Sequence, residues 1–346
     1  MSVIYNIGKK AAMLFPPIKR HVAYTRDLEE RLEELTLRDR EKRNLIGTLY
    51  GLQEYHSDLF VDGVYRHVVT ITSKVGCPIN CRYCPQDQFV AAYMKRPNPV
   101  LSLSYEYFCS ILDKIPSDTQ VRFTGFVENM ANPECIPMIK KALETHKVMV
   151  YSTMFNADIS DYEAFRDHCN LTTFCLHLPD CFGNTRFPIT DKYRDLLKYI
   201  VQNPPAHALF WTSCLGEGGG VSPDIADIIQ THANPISSFT GLVYDNFLHH
   251  GNAELICLRD SSRIQDERAG VIPVLPNGDV VACTQDSELT SIIGNIFQVS
   301  SLEELLHSEG RSKFYKGLKD ASLNTICRTC EMAVKNTYGT PLDTRV

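Results

Sequence analysis

From about residue 66 to residue 245 the chain repeats one pattern, a strand-like apolar run followed by a loop and a helix-like run. Strand signals fall at 67–73, 120–124, 147–153, 172–178, 208–213 and 238–244. Helix signals lie between them at 105–114, 136–146, 161–168, 191–201 and 223–231. Such alternation buries its apolar faces as a parallel sheet with crossover helices. The expected fold is therefore α/β, and six units make a partial (β/α)6 barrel.

Alternation within the strands sets which face meets the helices. Over 172–178, Phe174, Leu176 and Leu178 share one side while Thr173, Cys175 and His177 share the other. In the first strand Thr70 and Thr72 oppose Val69 and Ile71, and Arg122 with Thr124 extends the polar side on the second. The polar sides are expected to line the barrel interior. Packed barrel interiors are mostly branched and apolar, so a polar lumen points to a polar ligand.

Directly after the first strand comes Gly76-Cys77-Pro78-Ile79-Asn80-Cys81-Arg82-Tyr83-Cys84, a C-x3-C-x2-C spacing. Three thiolates leave one iron of a cubane cluster without a protein ligand, open to a small molecule. A structural zinc also takes cysteines at C-x2-C spacing, but it wants a fourth Cys or His, and residues 85–94 contain neither. The motif, with an aromatic residue before its third cysteine, resembles that of the radical S-adenosylmethionine (SAM) superfamily. The resemblance implies that Cys77, Cys81 and Cys84 hold a [4Fe-4S] cluster whose open iron is chelated by SAM. It further implies that an electron through that cluster yields a 5'-deoxyadenosyl radical, which removes a hydrogen atom from an unactivated C–H bond.

Other family positions follow from the same resemblance. Thr124-Gly125-Phe126-Val127-Glu128-Asn129 resembles the strand end that holds the SAM amino group, with Gly125, Phe126 and Glu128 as its members here. Val127 and Asn129 stand where many members have glycine and proline, which affects the expected backbone shape more than the carboxylate. Ser152 and Thr153 fall where relatives contact the ribose or carboxylate of SAM, and Tyr83 where an aromatic neighbours the adenine.

Past residue 250 the alternation stops and a second cysteine set begins. Pro276-Asn277-Gly278-Asp279 is a hairpin turn signal, followed by Cys283, by a helix near 302–306 and by Cys327-Arg328-Thr329-Cys330. This succession resembles the SPASM and Twitch extensions of radical-SAM enzymes, which carry auxiliary iron–sulfur clusters. With Cys257 the resemblance implies four ligands, Cys257, Cys283, Cys327 and Cys330, for one auxiliary [4Fe-4S] cluster in the shorter Twitch form. On spacing alone a zinc ribbon fits the same thiols. The expected organisation is an N-terminal helical extension at 1–60, a radical-SAM core at 61–250 and a small β-hairpin and helix domain at 251–346.

Composition narrows the partners. The 346-residue chain carries a net charge of −6, so it lacks the global basic field that tracks nucleic acid. Its thirteen cysteines are clustered in metal-type spacings within a long chain, which suits a reducing cytoplasm better than a disulfide framework. No run approaches the roughly 20 apolar residues of a transmembrane helix. Residues 1–17 lack the apolar core of a signal peptide. Residues 25–43 are charged, with Leu28, Leu32 and Leu35 at helical spacing, and read as an amphipathic helix packed on a core. Cys109, Cys135, Cys169, Cys175, Cys181 and Cys214 are expected mostly as buried small hydrophobes.

The resemblance implies an oxidoreductase acting on a small polar metabolite such as a sugar, aminocyclitol or nucleotide sugar, supplied with electrons by a flavodoxin or ferredoxin. His177 and Arg259 are the candidate proton-transfer residues. Maturation of a ribosomally made peptide, and a non-catalytic iron–sulfur or zinc scaffold, are the other readings.

Overall fold

The computed structural model describes residues 67–185, 187–215, 220–230, 236–239, 252, 255–257, 270–323, 325–330 and 333–335. The expected helix at 25–43, the N-terminal extension and Arg259 lie outside these residues.

Six parallel strands pair in chain order: β1 (His67–Ile71), β2 (Gln120–Phe123), β3 (Val148–Ser152), β4 (Leu171–His177), β5 (Leu209–Leu215) and β6 (Ile236–Phe239). Each begins within two residues of its expected start. The connecting helices are α1 (Gln86–Tyr93), α2 (Tyr105–Leu112), α3 (Cys135–Thr145), α4 (Ile159–Glu163), α5 (Asp191–Gln202) and α6 (Pro223–Gln230). Local chemistry explains their starts. Ser104 and Thr190 accept the N–H of Tyr107 and Tyr193, while Asp158 and Asp161 form a reciprocal capping box. That box starts α4 two residues before the expected position, and each such cap stabilises its helix by about 1 kcal/mol.

The parallel register confirms the expected phase. Val69, Ile71, Val121, Phe123, Val148, Val150, Phe174, Leu176 and Phe210 join the helices in the main apolar core. Thr70, Arg122 and Met149 stand side by side on the opposite face, as do Tyr151, Cys175 and Trp211 one pleat further along.

Beyond residue 257 the chain returns to the same sheet. The strand β8 (Gly270–Val274) follows β7 (Leu255–Cys257) and pairs in parallel with β1, and β9 (Asp279–Val281) and β10 (Ile292–Asn295) continue antiparallel. Among the described residues the sheet has nine strands, in the order β10-β9-β8-β1-β2-β3-β4-β5-β6, and is open rather than closed. Two helices, α7 (Leu302–Leu306) and α8 (Glu309–Lys319), lead to β11 (Ala333–Lys335), which pairs antiparallel with β7.

The β8–β9 turn docks on α1. Asn277 N–H donates to the Tyr93 hydroxyl at 3.1 Å, and Arg96, just past the helix, pairs with Asp279 at 2.8 Å. At the turn Gly278 has φ +83°, and a Cβ there would overlap the Phe297 ring and lie 2.8 Å from Asn295 Oδ1. Both the left-handed backbone and the lack of room require glycine. Gly278→Ala is therefore expected to cost about 2 kcal/mol or more, read as a melting temperature several degrees lower. A melt unchanged within error would show that the turn relaxes freely.

Candidate functional site: two cysteine sets

Cys77, Cys81 and Cys84 sit, half-buried, in the loop between β1 and α1. Gly76 and Asn80 bend this loop through left-handed backbone, at φ +87° and +49°. Burial raises the Cys77 thiol, and it pushes Cys84 up to about 12, with Cys81 and Cys77 adding repulsion. Thiols so held stay protonated at neutral pH unless a cation takes the charge. The donor set is soft, close together and supplied with N–H groups: Glu128 N–H donates to Cys77 Sγ at 3.4 Å and Gln86 Nε2 to Cys84 Sγ at 3.3 Å. That is the environment an iron–sulfur cluster needs from its ligands. Among the described residues no three Cys, His, Asp or Glu side chains are arranged to hold a single metal ion.

Tyr83 is raised by burial and shares a hydrogen bond with Thr185. The loop carrying Thr185 is organised by Asp180, whose carboxylate accepts from Phe182 N–H, Asn184 Nδ2 and Thr185 N–H at 2.8–2.9 Å. Arg82 N–H closes the contact on Asn184 O at 2.8 Å. A buried aspartate not singled out in the sequence thus seats the aromatic between two of the cysteines.

At the end of β2 the chain turns at Gly125, φ +106°, where a Cβ would stand 2.6 Å from Thr72 Oγ1. Phe126 then stacks on Phe89 of α1 with ring centroids 4.3 Å apart. Glu128 is 6% exposed and converges with the other expected residues. Its Oε1 accepts from Ser152 Oγ at 2.6 Å and Met130 N–H at 3.1 Å, and its Oε2 from Thr153 N–H at 2.6 Å and Oγ1 at 2.7 Å. Burial raises its carboxyl while these donors hold it down. Four donors use the acceptor capacity of a carboxylate. An ammonium reaching Glu128 would therefore exchange with the Ser152 or Thr153 hydroxyl.

Two asparagines flank this turn. Asn129 Oδ1 accepts from Ser73 N–H, and Asn132 Nδ2 donates to Ser73 O and Leu103 O, tying the ends of β1 and β2 together.

On the lumen face, Arg122 lies over the Tyr151 ring at 5.5 Å, and Tyr151 meets His177 and Trp211 edge-on at 6.1 and 6.0 Å. His177 retains some exposure, yet the protein around its ring lowers its pKa to about 4 by desolvation, so the ring is neutral at pH 7. Cys175 shares the lumen face with Ser213, at 3.6 Å. Cys214 lies on the other face, in the apolar core. Of the other four cysteines outside the two ligand sets, Cys135 is buried and Cys109 half-buried, while Cys169 and Cys181 are exposed, so three of the six expected mostly as buried small hydrophobes are buried.

In the C-terminal part Cys327 and Cys330 are buried with Leu255, Phe314, Leu318 and Ile326, and Cys283 packs against them. The Cys327 thiol is raised by burial and then by Cys283 and Cys330. The backbone of Cys257 pairs with Ala333, three residues past Cys330. Gln285 N–H donates to Cys283 Sγ at 3.4 Å. Asp286 builds the following turn by accepting from Thr290 and Ser291 N–H. These thiols again offer a soft donor set with an N–H group on sulfur.

Residues 269–331 match the SPASM family of iron-sulfur cluster-binding domains, a range that includes Cys283, Cys327 and Cys330 but not Cys257. No curated protein sequence matches the chain significantly. Among solved structures, BtrN in complex with AdoMet and 2-DOIA aligns with TM-score 0.47 and 10% identity over 81% of this chain and 97% of its own. SuiB from Streptococcus suis aligns with TM-score 0.45 and 12% identity, covering 77% and 70%. Native anSMEcpe with bound AdoMet aligns with TM-score 0.44 and 12% identity, covering 77% and 88%. Residues 269–331 thus form a SPASM-type iron-sulfur cluster-binding segment, and the C-x3-C-x2-C loop stands at the head of the same sheet that this segment extends.

Proposed function

We propose that the protein is a radical-SAM oxidoreductase that removes hydrogen from a carbinol carbon of a small polar substrate, a sugar, aminocyclitol or nucleotide sugar. The observation that carries this reading is the convergence of three neighbouring half-buried thiols with the Glu128, Ser152 and Thr153 cluster at the C-terminal ends of β1, β2 and β3. When bound, the cluster and SAM supply the 5'-deoxyadenosyl radical that takes the hydrogen atom.

The chain's own residues hold and orient. Cys77, Cys81 and Cys84 would ligate the cluster, Glu128 would receive the amino group of SAM, Ser152 and Thr153 its ribose or carboxylate, and Tyr83 would neighbour its adenine. The lumen rings of Tyr151 and Trp211 and the Arg122 guanidinium offer a polar, aromatic wall to the substrate. Neutral His177 faces the same space and accepts the hydroxyl proton. Its lowered pKa makes it a weak base, so the proton would have to leave together with the remaining electron, the two losses ending in a ketone. Cys257, Cys283, Cys327 and Cys330 would hold an auxiliary cluster, which would supply an acceptor for the remaining electron, and a flavodoxin or ferredoxin would serve as the electron donor to the enzyme.

The test is anaerobic reconstitution with iron and sulfide, followed by incubation with SAM and dithionite. The reading expects about eight irons per chain as two [4Fe-4S] clusters, with release of 5'-deoxyadenosine. Stoichiometric zinc without sulfide, or reconstituted protein that leaves SAM intact, would overturn it.

A further inference from the structure

We propose that Gln86 is a positioning residue that sets the reduction potential of the SAM-cleaving cluster through the Cys84 sulfur; the inference rests on the reading that Cys77, Cys81 and Cys84 hold that cluster. Gln86 opens α1 two residues after Cys84 and is 5% exposed. Its Oε1 accepts the Cys77 N–H at 3.1 Å, and its Nε2 donates to Cys84 Sγ at 3.3 Å and to Phe126 O at 2.5 Å. A carbonyl faces one end of the amide and a backbone N–H the other, so the partners dictate which end is nitrogen. Both Nε2 hydrogens are used, and one of them is committed to sulfur.

The surroundings hold this amide in place. Phe89, three residues along α1, stacks on Phe126, so the helix is pinned at two points to the loop after β2. Across the cluster loop Glu128 N–H donates to Cys77 Sγ. Of the three cysteines, Cys77 and Cys84 therefore each take an N–H from groups fixed by the β2 end. A donor on a ligand sulfur stabilises the extra negative charge of the reduced cluster more than the oxidised form, which raises the potential. Cys77 is also held through its own N–H, so the same side chain shapes the loop and tunes a ligand.

The experiment compares wild type, Gln86→Glu and Gln86→Leu, each reconstituted anaerobically, by EPR-monitored redox titration. The signal followed is the one that a Cys77, Cys81 and Cys84 triple alanine variant lacks. Gln86→Glu keeps the shape and the Oε1 acceptor, and an acid suits the first turn of a helix, so its fold is retained. It removes the donor to sulfur and adds negative charge. Gln86→Leu removes donor and acceptor together. The expected result is a reduction equilibrium about tenfold less favourable in Gln86→Leu, about 59 mV for one electron, and less favourable still in Gln86→Glu. Loss of iron from both variants with wild-type melting overturns the proposal, because Gln86 then holds the cysteine loop together rather than setting the potential. Potentials equal to wild type in both variants, with iron retained, overturn it. If wild type shows no signal that the triple variant lacks, the cluster assignment itself fails, a different outcome from an unmoved potential.

Discussion

Replacing Cys77, Cys81 and Cys84 together with alanine is expected to leave about four of eight irons and to abolish 5'-deoxyadenosine release. The loss should be complete because the three thiols are the only protein groups that the motif offers to this cluster. Gln86, Glu128 and Tyr83 supply hydrogen bonds and packing, not ligands. The fold should survive, since the cysteines are half-buried in a loop outside the apolar core, and that core is built from β1–β5 and their helices together with β8–β10 and α7. Circular dichroism and iron and sulfide analysis read both halves of the expectation. A folded triple variant that still makes 5'-deoxyadenosine with dithionite would sink the central assignment.

The second large effect is expected at the other cysteine set. Cys327→Ala with Cys330→Ala should leave SAM cleavage in an uncoupled form while oxidised product disappears. The Glu128 cluster and the Cys77 loop remain intact in that variant, so the first half-reaction needs no C-terminal ligand. Both cysteines are buried, at 8% and 6% exposure, in a small apolar group with Phe314 and Leu318. The β7–β11 pair beside them is only three residues long in each strand, so bound metal should contribute much of its stability. A melting curve must therefore accompany the product assay. Should a well-folded double variant still turn substrate into the oxidised product, the auxiliary cluster is structural and a redox-neutral reaction such as epimerisation becomes the better account.

The period-2 pattern of the strands carried most of the core architecture. It separated Phe174 and Leu176 from Thr173 and Cys175 before any pairing partner was known, because one face had to meet helices. The Glu128, Ser152 and Thr153 grouping was legible through family resemblance alone, since nothing local says that residues 24 and 25 positions apart will share a carboxylate. What stayed hidden depended on distant partners. Helix α1 is preceded by Pro85, which offers no side-chain cap, and it is held by Phe126 and the β8–β9 turn rather than by its own sequence. Gln86 lies in no cysteine spacing, so no pattern marked it. The pairing of β8 with β1 is a choice among strands that only tertiary packing makes.

That pairing changes what counts as the smallest foldable piece of this protein. A parallel strand such as β1, with Val68, Val69 and Ile71 fully buried, is safe inside a sheet and hazardous at its margin. Here β8 covers the flank of β1 that β2 leaves open. Cutting the chain ahead of β8 would bare that flank and offer its unpaired N–H and C=O groups to the next molecule. The strand that launches the Cys77 loop is thus insulated from self-association by residues two hundred positions downstream. The C-terminal segment is in this sense a flank of the open sheet as well as a second cysteine site, and the two roles were placed on one stretch of chain.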